Sequence, residues 1–192
     1  MTTSRKQIRV LMFGVTLALL AGIALTASAA QEQAGMLTVT GTVTVNGKPA
    51  ATGDLIATGS EIKTAKGSSA VVSLGKLGRI EAQASTTILL RYDEKATTHT
   101  PASISILLRE GLLKLSTDGI TFNIETGVTS TRPKERTEAT DLTVENNCGV
   151  TSVSVTKGNV EFRYGHTVKQ IAAGGQDTAG QTKPGCTPSR NH

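Results

Sequence analysis

From Leu37 onward, apolar residues recur at every second position in short runs, with Thr, Ser or a charged side chain between them. A period of two marks a strand with one buried face. Leu37, Val39, Val43 and Val45 share one face of the first run together with Gly41, while Thr38, Thr40, Thr42 and Thr44 line the other. The pattern returns at Ile88, Leu90 and Tyr92, at Ile104, Ile106 and Leu108, and at Leu113 and Leu115. It continues through Ile120, Phe122 and Ile124, then Val153 and Val155, then Val160, Phe162 and Tyr164. Runs of this length predict about a dozen strands. Asn46-Gly47, Asp118-Gly119 and Lys157-Gly158 each separate two alternating segments. The first two are favoured hairpin dipeptides, because a type I′ turn needs positive φ at both central residues.

No segment after Ala30 carries an apolar helical stripe. Arg132 to Thr140 has helix formers but no such stripe, so it reads as loop. The polar intervals Gly127 to Asp141 and Asp93 to Ala102 should protrude. The expected fold is all-β, with mostly antiparallel short strands arranged as a β-sandwich or a short irregular β-solenoid. A turn every 8 to 12 residues, roughly, suits both, and a barrel as well.

The first thirty residues break this pattern. Arg5, Lys6 and Arg9 precede an apolar run from Val10 to Leu25, which ends in Thr26-Ala27-Ser28-Ala29-Ala30. A basic start, an apolar stretch and small residues at Ala27 and Ala29 form an export signal, expected to be helical and to be cut after Ala29. The alternative is an uncleaved anchor in the inner membrane through residues 10–25, since the run falls just short of the roughly 18 to 20 residues that span a bilayer. The organisation expected is therefore a signal at 1–29, a short linker at 30–36, a β domain at 37–177 and a Pro- and Gly-containing tail at 178–192.

Removing the signal changes the charge. Three of the twenty basic residues and none of the fifteen acidic ones lie in residues 1–29, which leaves 17 against 15. The remaining Lys and Arg form no stripe and alternate with no aromatic residues, so nucleic acid is not an expected partner. Cys148 and Cys186 are the only cysteines. An even count behind an export signal points to one disulfide, which ties the tail to the domain.

Gly41-Thr-Val-Thr-Val-Asn-Gly47, then Gly53-Asp54-Leu-Ile56, Thr58-Gly59, Ile62-Lys-Thr64 and Gly67-Ser-Ser-Ala70 resemble the opening of the FecR domain family. Weaker likeness runs through Glu110-Gly111-Leu-Leu-Lys-Leu115 and Phe122-Asn-Ile124 to Val153-Ser-Val-Thr-Lys-Gly158 and Ile171-Ala-Ala-Gly174. It covers most of residues 39–177. The resemblance implies a FecR-like periplasmic β domain in which Gly41, Gly47, Gly53, Asp54, Gly59, Thr64 and Gly67 form a structural turn motif. Read from the residues themselves, the glycines suit turns or close strand approach, and Asp54 and Thr58 suit bonds to local amides. Two departures matter. Only nine residues precede the apolar run, where sigma-regulating members of the family carry a cytoplasmic helical domain. The Gly-Thr-x-Phe strand of the family's second half is replaced by the charged stretch Arg132 to Glu138 and by Asp141 to Glu145.

Candidate chemistry is sparse. His99 lies in Thr97-Thr-His-Thr100, His166 in the turn Tyr164 to Thr167, and His192 at the end of the sequence. Asp93-Glu94 are neighbours, which on a strand point to opposite faces. No Walker A, G-x-S-x-G or HExxH pattern occurs. No catalytic residue, cofactor or metal is therefore expected. The function expected is that of a periplasmic or secreted binding or scaffold protein of the bacterial envelope, whose partner is another envelope or secreted protein and which touches the membrane only if residues 10–25 stay in place. The alternatives are a surface protein that binds cell-wall or capsular polysaccharide through Thr-rich faces and a periplasmic component of envelope signal transduction.

Overall fold

The computed structural model describes residues 33–94, 101–135 and 138–186. The export signal and its cut after Ala29 lie outside these residues, as do His99 and His192. The described chain is all β apart from one short 3-10 turn, Gly75–Leu77. Its sixteen strands form two sheets that share a single strand.

In chain order the strands are β1 (Gln33–Thr40), β2 (Val43–Val45), β3 (Lys48–Pro49), β4 (Leu55–Ala57), β5 (Ser60–Thr64), β6 (Ser69–Ser73), β7 (Gly78–Ala82) and β8 (Thr87–Glu94). They continue with β9 (Pro101–Thr117), β10 (Thr121–Glu125), β11 (Thr129–Pro133) and β12 (Thr140–Asn147). The last four are β13 (Val150–Lys157), β14 (Asn159–Tyr164), β15 (Thr167–Ala172) and β16 (Gln176–Gly180).

Sheet A has the order β4-β1-β6-β7-β9-β12-β13-β16. Sheet B has the order β3-β2-β5-β8-β9-β10-β11-β14-β15. Every ladder is antiparallel except that of β9 with β10. Buried residues of both sheets make one cluster, with Leu37, Ile80 and Val144 from sheet A and Ile62, Ile106 and Phe162 from sheet B. The two sheets therefore face each other across one core, as in a sandwich. The parallel β9–β10 pair adds a single solenoid-like coil.

The seventeen residues of β9 explain how one strand serves both sheets. Ile104, Ile106 and Leu108 point inward from sheet B, and Leu113 and Leu115 point inward from sheet A. The inward positions change parity between the two sets. Arg109 and Glu110 absorb the change as an extra residue against β8, where Thr87 faces Glu110 but Ile88 faces Leu108. Gly111 follows with φ +98°, and a Cβ there would run into the hydroxyl and Cα of Thr86. The sequence reading takes these as two separate runs; the bulge joins them.

Three further expectations are corrected. Asn46-Gly47 does close a hairpin, with φ of 52° and 75°. Asp118-Gly119 does not, because β9 and β10 on either side of it run parallel, and Lys157-Gly158 passes from β13 of sheet A to β14 of sheet B. These turns carry the chain over the core. The Thr ladder is likewise split, since Thr38 and Thr40 lie on β1 of sheet A and Thr44 on β2 of sheet B. Gly41, at φ +78° with the Ser68 hydroxyl where its Cβ would sit, is the point of crossing. Lastly, the interval Gly127 to Asp141 contains β11, whose Thr129, Thr131 and Pro133 are buried. Its inward face is built from Thr and Pro, which apolar periodicity does not register.

β1 begins at Gln33, pairing with β4 from its first residue, and β16 runs on to Gly180 beside β13.

Candidate functional site

The residues of the FecR-like turn motif are spread over several turns. Gly41, Gly47, Gly53, Gly59 and Gly67 all have φ between +70° and +100°. The Asp54 carboxylate accepts the Ala51 amide at 2.9 Å, a bond within its own turn. Thr58 instead reaches across to β8, where its hydroxyl accepts the Tyr92 amide at 3.2 Å, so its expected local bond is not the one formed.

Thr64 is buried where β9 passes between the sheets. Its hydroxyl accepts the Thr86 amide at 2.9 Å and donates to the Gln83 carbonyl. The Thr86 hydroxyl accepts the Leu112 amide at 3.0 Å. From the other side, the buried Asn146 amide group donates to the Leu108 and Arg109 carbonyls at 3.2 and 2.7 Å. These side chains satisfy backbone groups that the bulge removes from the ladder, which in a buried site would otherwise each cost about 1–3 kcal/mol. A second buried set, Thr126, Thr129 and Thr151, joins the β10–β11 turn to β13 through hydroxyl contacts of 2.9 and 3.0 Å. Both sets are structural. Sequence reading misses Thr86, Asn146 and Thr126 because a buried Thr or Asn looks like a surface one until its partners are known.

Cys148 and Cys186 are bonded, with their Cα atoms 5.7 Å apart. Cys148 sits at φ 55° in the tight turn between β12 and β13, and its carbonyl accepts the Lys183 amide at 2.8 Å. The disulfide thus fastens residues 181–186 to the end of that hairpin.

A broad depression lies on the outer face of sheet B. Its volume is about 620 Å³, and Ser103, Ser105, Thr121, Asn123, Ser130, Arg132, Lys134, Glu161 and Arg163 line it. Strands β9, β10, β11 and β14 each contribute outward-facing positions, which is why its lining is polar. Arg132 holds Glu161 in a two-pronged pair, with Nε and Nη2 at 2.8 and 2.7 Å from one carboxylate oxygen. Arg163 and Lys134 are left without an ion pair among the described residues, so the groove carries net positive charge. A shallower depression of about 440 Å³ on the outer face of sheet A is lined by Thr143, Glu145, Ser152, Ser154, Gln176 and Thr178.

At one end of the sandwich, Lys169 of β15 meets Asp177 of β16 at 2.8 Å and lies 5.8 Å from the Tyr164 ring centre. The bond from Lys169, helped by the Thr178 amide at 2.8 Å, holds the Asp177 carboxyl below its usual range against the opposing effect of burial. The same bond raises Lys169. His166 stands exposed in the β14–β15 turn. No group of three or more His, Cys, Asp or Glu placed to hold a metal ion occurs among the described residues.

No protein-family model matches the chain, and no curated protein matches it. Two crystal structures described as those of a "putative anti-sigma factor" from Parabacteroides distasonis are similar to it at a TM-score of 0.48, with 17% and 18% sequence identity. Each alignment covers 66% of this chain and 56% or 57% of the other, so the chain spans a little over half the length of those proteins.

Proposed function

We propose that the protein is an exported, non-catalytic binding module of the bacterial envelope, FecR-domain-like in its opening turns, that engages another envelope or secreted protein. The observation that carries this reading is the outer face of sheet B, where an open polar groove, with Arg163 and Lys134 unpaired among the described residues, adjoins an exposed edge strand. Such a surface recognises by charge and backbone complementarity. The disulfide supports export, since such bonds persist in oxidising compartments. Photo-crosslinking in intact cells from a residue at the groove, such as Asn123, should trap one envelope protein. Repeated recovery of no specific partner would overturn the reading. Mass spectrometry of the cell-derived protein tests export separately, with the mass of residues 30–192 less two hydrogens as the expected result.

A second reading, attachment to cell-wall or capsular polysaccharide, is favoured by a different surface. Thr143, Ser152, Ser154 and Thr178 gather hydroxyls on the outer face of sheet A, in place of the divided Thr38–Thr44 ladder. Retention on purified peptidoglycan or capsule, lost in a Ser152→Ala/Ser154→Ala variant, would favour it over the first.

A further inference from the structure

Of the four strands that end the two sheets, three are guarded. β3 has two residues, one of them Pro49, and β4 has three. β16 carries Asp177, whose own carboxylate occupies the Thr178 amide. Short length, Pro and charge are the usual means by which an edge avoids pairing with another chain. β15 is neither short nor interrupted by Pro. It runs for six residues without Gly or Pro, and all six pair with β14 along one side.

Its single charge, Lys169, is drawn to the inner side by Asp177 and Tyr164. The outward positions are Val168, Gln170 and Ala172, and Val168 is 45% exposed. The register also places Val168 beside Arg163, which lies beside Ser130 in the groove.

Deepening the binding reading on which it rests, we propose that the β15 edge accepts an extended acidic segment of the partner protein as an additional strand of sheet B. The partner's main chain bonds to β15, and a carboxylate on its outward face pairs with Arg163. Strands lie about 4.8 Å apart, so the residue opposite Val168 stands roughly 10 Å from Arg163 in the backbone, a gap that extended Arg and Glu side chains close between them. The groove's charge sets the sign. Glu161 is occupied by Arg132, which leaves Arg163 and Lys134 to attract acidic residues and repel basic ones.

The test uses the purified full-length protein and two short labelled peptides that alternate Val with Glu or Val with Lys. Fluorescence anisotropy measures binding, and hydrogen–deuterium exchange locates it. The Glu peptide should bind and slow exchange in Thr167–Ala172. Arg163→Glu, at an exposed position, should weaken the Glu peptide by about tenfold, the weight of one charge-assisted hydrogen bond, and strengthen the Lys peptide.

Equal binding of both peptides, no binding of either, or protection outside β15 overturns the proposal. So does slow exchange in β15 without peptide alongside dimers in sedimentation, which would assign the edge to a second copy of this chain. Polygalacturonate that protects the groove but not β15 would assign the charge to an acidic polysaccharide and also overturn it. A crosslinked partner recovered in cells alongside any of these failures leaves the broader binding reading standing.

Discussion

The two sheets enclose one core with different materials. Among the described side chains, sheet A contributes all four buried alanines, Ala57, Ala70, Ala82 and Ala179, and no buried aromatic ring. Among the same side chains, sheet B contributes all three buried aromatic residues, Tyr92, Phe122 and Phe162, and no buried alanine. Small side chains on one inner face leave room for large ones on the other, which is how facing layers reach close packing. The outer faces differ too, with a cationic groove on sheet B and a hydroxyl-lined depression on sheet A. Sheet B therefore supplies the larger core side chains and the charged outer depression. Sheet A, which supplies less bulk, holds the disulfide, with Cys148 at its β12–β13 turn and Cys186 just beyond β16.

Removing bulk from sheet B should break this arrangement most severely. Phe162→Ala, at a site with no exposure, should lower unfolding free energy by about 3–5 kcal/mol in denaturant titration. Opening the staple of sheet A comes next. Cys148→Ser frees a 38-residue separation and should cost about 4 kcal/mol in the chain-entropy treatment or somewhat less, with exchange rising first in residues 176–186.

Adding bulk to sheet A tests the comparison from the other side. Ala82→Leu should destabilise by about 1–3 kcal/mol, because Ala82 is fully buried in the shared core and added bulk there overpacks it. A stabilising result would mean the two inner faces are not complementary.

The smallest effect is expected where the two sheets meet at β15 and β16. The Asp177 carboxyl is held below its ordinary value of 3.8, so its contribution is present above that pH and fades as the pH falls through the lowered value. Lys169 is raised above 10.5, so its contribution holds below that pH and fades above it. Exchange in β15 and β16 should quicken in acid below about pH 3.8 in the native protein. In Asp177→Asn it should already be faster at neutral pH, with no such acid step.

Much of the inward set was legible beforehand. Ile88, Leu90, Tyr92, Ile104, Ile106, Leu108, Phe122, Ile124, Val153, Val155 and Phe162 are all buried, and each stands in a run of alternating residues. The Asn46-Gly47 hairpin was legible for a local reason, since two adjacent residues supply its backbone requirement. The Cys148-Gly149 turn has the same positive φ values, 55° and 86°, but Cys is not a residue that announces such a turn. β11 stayed hidden because Thr129, Thr131 and Pro133 are not apolar markers, although Thr129, with its hydroxyl bonded to that of Thr126, fills a core position well.

The candidate surface was less legible still. Arg132 and Lys134 fall in a stretch read as loop, and Arg163 lies some thirty residues further on; only the β11–β14 ladder brings them together. The free edge at β15 carries no mark in sequence, because Lys169 looks like a guarding charge until Asp177 is seen to turn it inward.

The sequence by itself determined that the chain alternates, where many of its turns fall, and which side of most strands meets the core. Tertiary structure alone decided which sheet each strand joins. Two sheets that face one core from opposite sides require the same alternation, so the pattern cannot distinguish them. The assignment rests on ladders between distant residues and on the few points, Gly41 and the bulge before Gly111, where the chain changes layer.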